Sequence, residues 1–167
     1  ADNDLIVTSG GVSVGEEDHV KPAVEAEGQL DLWKIAIKPG KPLAFGTVNK
    51  GDGGAAWFIG LPGNPVSAIV TFLTMVRPFV LRLQGVADVT PRGFTLAANF
   101  DWPRPDARLE FLRARINGSG GLDLHPNQGS GVVTSLVWGD GLVVNPPGQA
   151  IASGDAVRFI PFAELLS

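Results

Sequence analysis

Hydrophobic positions along this chain follow two textures. Up to about residue 87, short apolar runs alternate with stretches at helical spacing. Residues 5–8 form an apolar, β-branched run, as in a strand buried on both faces. The run enters the glycine turn Ser9-Gly10-Gly11-Val12-Ser13-Val14-Gly15. A helix is expected next over 16–26, with acids in its first turn and Gly28 as its stop. Residues 30–38 alternate as one strand, with Trp33, Ile35 and Ile37 on one face and Lys34, Ala36 and Lys38 on the other. Strands over 43–48 and 55–59 flank a hairpin loop at 49–54. Ile69, Phe72, Leu73, Val76, Val80 and Leu83 then recur at helical spacing. They predict a core helix from Asn64 to about Gln84, kinked or split at Pro78.

Beyond Gly85 the texture changes. Residues 86–93 read as a linker, and short strands at close spacing follow over 94–101, 109–117, 122–125, 132–137, 142–145 and 156–160. Turn residues such as Gly139-Asp140-Gly141 and Pro146-Pro147-Gly148 divide them. The expected architecture is an α/β unit over 1–87 followed by a small all-β, barrel-like unit over 88–167.

Composition narrows the chemistry. A net charge of −4 and a pI near 5.1 leave no electrostatic footprint for nucleic acid. An anion site must therefore be a local concentration of positive charge. The absence of cysteine excludes disulfides, thiolate catalysis and Cys-ligated metal. No signal-peptide pattern occurs, and the longest uncharged apolar run, 65–76, is too short to span a bilayer, so a soluble chain is expected. A strand that starts almost at the first residue, with no initiator methionine, reads as a fragment of a longer protein. His19 and His125 stand alone, without metal-ligand spacing.

Three places carry candidate chemistry. The glycine turn after the first strand offers backbone N–H groups and hydroxyls to a phosphate. Lys34 and Lys38, followed by Pro39-Gly40-Lys41-Pro42, bring three ammonium groups close together, and an anion would offset their repulsion. The stretch Phe58-Ile59-Gly60-Leu61-Pro62-Gly63-Asn64-Pro65-Val66-Ser67 reads as strand, rigid turn and helix start. In it, Asn64 is an N-cap and Pro65 the first helical residue. Free N–H groups at such a start favour an anion.

These blocks, in this order, closely resemble the molybdopterin molybdenumtransferases, the bacterial MoeA type related to the E domain of gephyrin. The resemblance rests on residues 8–15 with Asp18, on residues 33–42 and on residues 60–67. Arg108-Leu109-Glu110-Phe111-Leu112-Arg113-Ala114 and Gln128-Gly129-Ser130-Gly131 resemble motifs of the family's last domain. The resemblance implies an enzyme of molybdenum cofactor synthesis. Such an enzyme takes adenylylated molybdopterin and molybdate, cleaves the adenylate with Mg2+ and leaves molybdenum on the dithiolene. It also implies the second half of a molybdopterin-binding α/β domain followed by the β-barrel-like domain, within a cytoplasmic homodimer.

By the same resemblance Lys34 and Lys38 serve substrate and transition-state charge, and Lys38 with Lys41 hold molybdate. Asp18 is the carboxylate for Mg2+ or for the attacking water. Ser9, Gly10, Gly11 and Ser13 contact phosphate or pterin. Pro62, Gly63, Asn64 and Pro65 shape the pocket, and Ser67 donates to the oxyanion. Arg108, Arg113 and Ser130 match anion contacts. Two other readings stand beside this one: a gephyrin-like scaffold without catalysis, and a molybdopterin adenylyltransferase. Retention of the lysine cluster, Asp18 and both glycine motifs favours the transferase, and the second, β-rich unit with the Lys-Pro-Gly-Lys-Pro block argues against the adenylyltransferase.

Overall fold

A computed structural model describes residues 3–10 and 19–167. Four strands form a mixed sheet in the order β1-β5-β4-β2: β1 (Leu5–Ser9), β5 (Ala55–Leu61), β4 (Pro42–Asn49) and β2 (Gly28–Lys34). β1 runs parallel to β5, and the other neighbours are antiparallel. Helix α1 (Val20–Glu27) covers one face, where Val24 packs with Ala44 and Phe58. The expected helix start at 16–18 lies outside the described residues. Gly28 ends α1 in an extended conformation and is at once the first residue of β2.

The expected single strand over 30–38 is two strands in two sheets. β2 ends at Lys34, opposite Pro42, where its partner β4 begins. The chain then crosses over. Ile35 donates its N–H to the Lys41 carbonyl at 2.8 Å, while the Ala36 carbonyl accepts from Leu109 at 3.0 Å. β3 (Ile37–Lys38) joins β7 (Leu109–Ile116) in parallel, with Ile37 opposite Leu109 and Lys38 opposite Glu110. Alternation alone does not reveal which sheet a strand joins.

The second sheet runs β3-β7-β9-β10-β6, with β9 (Gly141–Asn145), β10 (Ala156–Pro161) and β6 (Phe94–Ala97); β8 (Leu122–Leu124) also pairs with β7. The barrel-like closure expected from the sequence does not form. β6 has four residues and β8 three, and a single bridge between Ala98 and Leu122 takes the place of a ladder. Both sheets are open, and the fold is mixed α/β. A second correction contributes to this. The stretch expected as a strand at 132–137 is helical in α4 (Thr134–Trp138). There Ser135 is fully buried, donates its hydroxyl to the Val132 carbonyl at 2.6 Å and accepts from Arg113 Nε at 3.1 Å. A long-range contact overrides the local β propensity of Val132, Val133 and Thr134.

The long helix lies against both sheets. α2 (Pro65–Thr71), a π-helical turn (Phe72–Val76) and α3 (Arg77–Leu83) are continuous. Pro78 does not split the helix; the irregularity is the π turn just before it. Proline has no N–H for the Thr74 carbonyl and crowds that turn, while Thr74 itself hydrogen-bonds back to the Val70 carbonyl at 2.7 Å. Val66, Val70 and Leu73 pack with Ile37, Phe111, Leu142 and Ile160, whereas Val76 packs with Leu43, Ile59 and Leu61. At 19 residues and mean hydropathy 1.6, residues 65–83 are long and apolar enough to cross a membrane by length and composition alone, a longer stretch than the uncharged run. Here its inward side chains fill the cores of both sheets. A short helix, α5 (Phe162–Leu166), closes the fold by burying Leu165 against the same core.

Candidate functional site

The ends of these elements surround one cleft of about 670 Å3. One wall is the turn after β3, Lys38 to Pro42; its opposite is the turn after β5, from Pro62 to the start of α2. Gly10, just past β1, donates its N–H to the Leu61 carbonyl and so extends the β1–β5 ladder to the cleft edge. The second sheet supplies Arg108 and the loop Gln128-Gly129-Ser130.

The β3 turn depends on a glycine. Gly40 has a φ of +111°, and a Cβ there would come within 2.6 Å of the Thr71 hydroxyl. That hydroxyl is fully buried and has no hydrogen-bond partner among the described residues. The Lys38–Pro39 peptide is cis. At the facing turn Asn64 occupies the N-cap position, yet its side chain makes no cap hydrogen bond and lines the cleft instead. The loop carrying Ser130 docks on this helix start: its carbonyl accepts the Val66 N–H at 3.0 Å. One free donor of the helix start is thus already used, and Ser67 remains beside it on the cleft wall.

Three cations line the cleft, and two of them are tethered from behind. Lys38 Nζ lies 3.4 Å from Asp106 Oδ2 and 3.3 Å from Glu110 Oε1. Arg108 forks onto Asp106, with Nε to Oδ1 and Nη2 to Oδ2 both at 2.8 Å. The Arg108 hydrogen bonds hold the Asp106 carboxyl well below the usual range, against the opposing effect of burial, and Asp106 in turn raises the Arg108 guanidinium. Glu110 is completely buried; its Oε2 accepts from Trp102 Nε1 at 2.8 Å and from Asn145 Nδ2 at 3.1 Å. Its Oε1 has no hydrogen bond and meets Lys38 as an ion pair only. Lys41 is exposed and has no ion pair among the described residues. Among the described residues the cleft therefore carries one more positive than negative group.

Of the residues singled out from the sequence, Gly10, Lys38, Lys41, Pro62, Gly63, Asn64, Ser67, Arg108 and Ser130 line this cleft together. Lys34 does not; it sits exposed at the end of β2. Ser9 and Pro65 are adjacent in sequence to lining residues without lining it themselves. Gly11, Ser13 and Asp18 lie outside the described residues. Arg113 is buried and turned inward, donating to Ser135 and to the carbonyls of Phe111 and Gly129, and burial pushes its guanidinium down to about 10. It braces the Gln128–Ser130 loop. Sequence reasoning missed Asp106, Glu110 and Gln128. Gln128 holds the loop by accepting the Arg113 N–H at 2.9 Å and donating to the carbonyls of Arg113 and His125. The only sequence signal for Glu110 is its place in the Arg108–Ala114 block.

Among the described residues no group of three or more His, Cys, Asp or Glu could hold a metal ion. Asp106 and Glu110 are occupied by cations and N–H donors, so the described residues do not fit a Mg2+ site.

Residues 1–82 match the family described as "Probable molybdopterin binding domain", and residues 95–162 match "MoeA C-terminal region (domain IV)". The molybdopterin molybdenumtransferase of Haemophilus influenzae is 41% identical over 169 residues, covering 98% of this chain and 41% of that protein. This chain belongs to the MoeA family of molybdopterin molybdenumtransferases. The Nostoc molybdopterin molybdenumtransferase is 32% identical over 94% of the chain, and the chain covers 37% of it. A crystal structure of a MoeA molybdopterin biosynthesis protein from Pyrococcus horikoshii superposes with a TM-score of 0.72 at 28% identity, over 95% of this chain and 37% of that one. The chain thus spans about two fifths of the length of its MoeA relatives. Its cleft lies at the seam between the two matched regions: Lys38, Lys41 and Ser67 come from the first, Arg108 and Ser130 from the second.

Proposed function

We propose that this cleft binds the tetrahedral oxyanion of molybdenum insertion, molybdate, beside the phosphate of adenylylated molybdopterin. One observation carries the reading: Lys38, Lys41, Arg108, Ser67 and Ser130, drawn from both matched regions of the chain, converge on a single concave surface. At an effective dielectric near 20, a lysine about 4 Å from a unit charge contributes roughly 4 kcal/mol of attraction before desolvation is subtracted. Arg108 and the two hydroxyls add directed donors for oxygen atoms. The excess positive charge that Asp106 and Glu110 leave uncompensated among the described residues favours an anion in the cleft. The chain's own residues bind the oxyanion, orient it and shield its charge during transfer.

Cleavage of the adenylate belongs to the same proposal for the full-length enzyme, read as a cytoplasmic homodimer. Its Mg2+ ligand would be Asp18, outside the described residues, together with residues beyond this chain.

Calorimetric titration of the chain with molybdate tests the reading. Expected is saturable, salt-sensitive binding that Lys38→Ala weakens by about tenfold or more. Equal affinity in wild type and Lys38→Ala would remove the lysine cluster from the site.

A further inference from the structure

We infer that Glu110 is a positioning residue, whose buried carboxylate fixes the Lys38 ammonium at the cleft. The inference rests on the proposal that Lys38 faces an oxyanion there. A fully buried carboxylate is expensive unless its oxygens are satisfied. Here Trp102 and Asn145, neither of which titrates, hold Oε2 from behind. Among the described residues the other oxygen is left with one partner, Lys38 Nζ at 3.3 Å. The geometry is one-sided: the back of the carboxylate is anchored to the sheet and the front meets a mobile cation. Asp106 also meets Lys38, at 3.4 Å, but is not dedicated to it. Both its oxygens are already taken by the Arg108 fork, and it sits on a partly exposed loop rather than in a strand.

The backbone supports the same conclusion. Lys38 and Glu110 are register partners on neighbouring strands β3 and β7, so the side chains leave the sheet side by side. A lysine has four rotatable stem bonds and loses considerable freedom when held in one geometry. An ion pair formed before substrate arrives meets that cost in advance, which is how a supporting residue sharpens a binding group. The charges then alternate from Glu110 through Lys38 and Asp106 to Arg108, anchored at the buried end and open at the cleft.

Glu110→Gln separates positioning from simple field effects. The amide keeps the shape and can still offer oxygen to Trp102 or Asn145. Removing a negative charge near an anion site should, by Coulomb's law alone, tighten molybdate binding. Loss of positioning has the opposite sign, and we expect Kd for molybdate to rise about fivefold. In the Glu110→Gln/Lys38→Ala double variant the effect should be no larger than that of Lys38→Ala alone, since Glu110 acts through Lys38. Tighter or unchanged binding in Glu110→Gln, or additive losses in the double variant, would overturn the inference. A second readout needs no ligand. In the 15N-labelled chain, the Hζ–Nζ correlation of Lys38 should be visible in wild type and lost or shifted in Glu110→Gln. An unmoved correlation rejects the positioning role. Should wild type fail to bind molybdate while this signal responds, the oxyanion proposal fails and the positioning of Lys38 stands.

Discussion

Asp106 and Arg108, two positions apart, are clamped to each other three times. The guanidinium forks onto both carboxylate oxygens at 2.8 Å, and the Arg108 backbone N–H donates to Oδ1 at 3.1 Å. The guanidinium that faces the cleft is therefore fixed in the plane of a carboxylate. Lysine at this position could not reproduce that fork.

This clamp has a pH signature. The folded Asp106 carboxyl titrates well below its unfolded counterpart, because the Arg108 hydrogen bonds favour its charged form. Its contribution to stability is present in full above the unfolded value, near 3.9, and is lost as pH falls towards the folded one. Urea unfolding of wild type and Asp106→Asn should therefore give a constant stability gap above about pH 5, closing below about pH 4. A gap that widens on acidification would contradict the assignment.

Gly40 is required twice over, by a left-handed φ and by the Thr71 hydroxyl that a Cβ would strike. Gly40→Ala should cost about 1–3 kcal/mol in urea denaturation, with an unchanged m-value. It should also weaken molybdate binding, because the turn carries Lys38 and Lys41. Wild-type stability would mean that the turn relaxes freely.

Two lysines that look equivalent in the sequence separate in the fold. Lys41 lines the cleft without an acid partner among the described residues, whereas Lys34 stands outside it. Lys41→Ala should weaken molybdate binding about three- to tenfold at low ionic strength, with the difference shrinking as salt is added. Lys34→Ala should stay within about twofold of wild type at physiological salt, because its exposed side chain does not line the cleft and solvent and salt screen its charge. Equal losses in calorimetry would bring Lys34 into the site.

The parts legible in the sequence were those encoded locally. Proline, glycine and asparagine mark the turn before α2; apolar spacing marks the long helix; paired lysines and Arg108 mark the cations. What stayed hidden depends on distant partners. The break between β2 and β3 is set by where β4 begins and by the Leu109–Ala36 hydrogen bond. The helix at 134–138 depends on Arg113, and the opening of the second sheet on how early β6 and β8 stop pairing. Asp106 and Glu110 looked like ordinary acids because their meaning comes from Lys38, which reaches them across strands.

The pairing of Lys38 with Glu110 also bears on which changes of length the chain can absorb. Two residues of β3 are stitched in parallel to the start of β7, so the cleft's cation and its counter-charge are counted from one shared zero. Residues added to the stretch between α3 and β6, or to the hairpin at 50–54, leave that count untouched. A single residue gained or lost between Ile35 and Lys38, or between Arg108 and Glu110, would turn one partner to the opposite face and separate the charges. Tolerance to insertion therefore has a sharp boundary in this chain, and it passes through a two-residue strand.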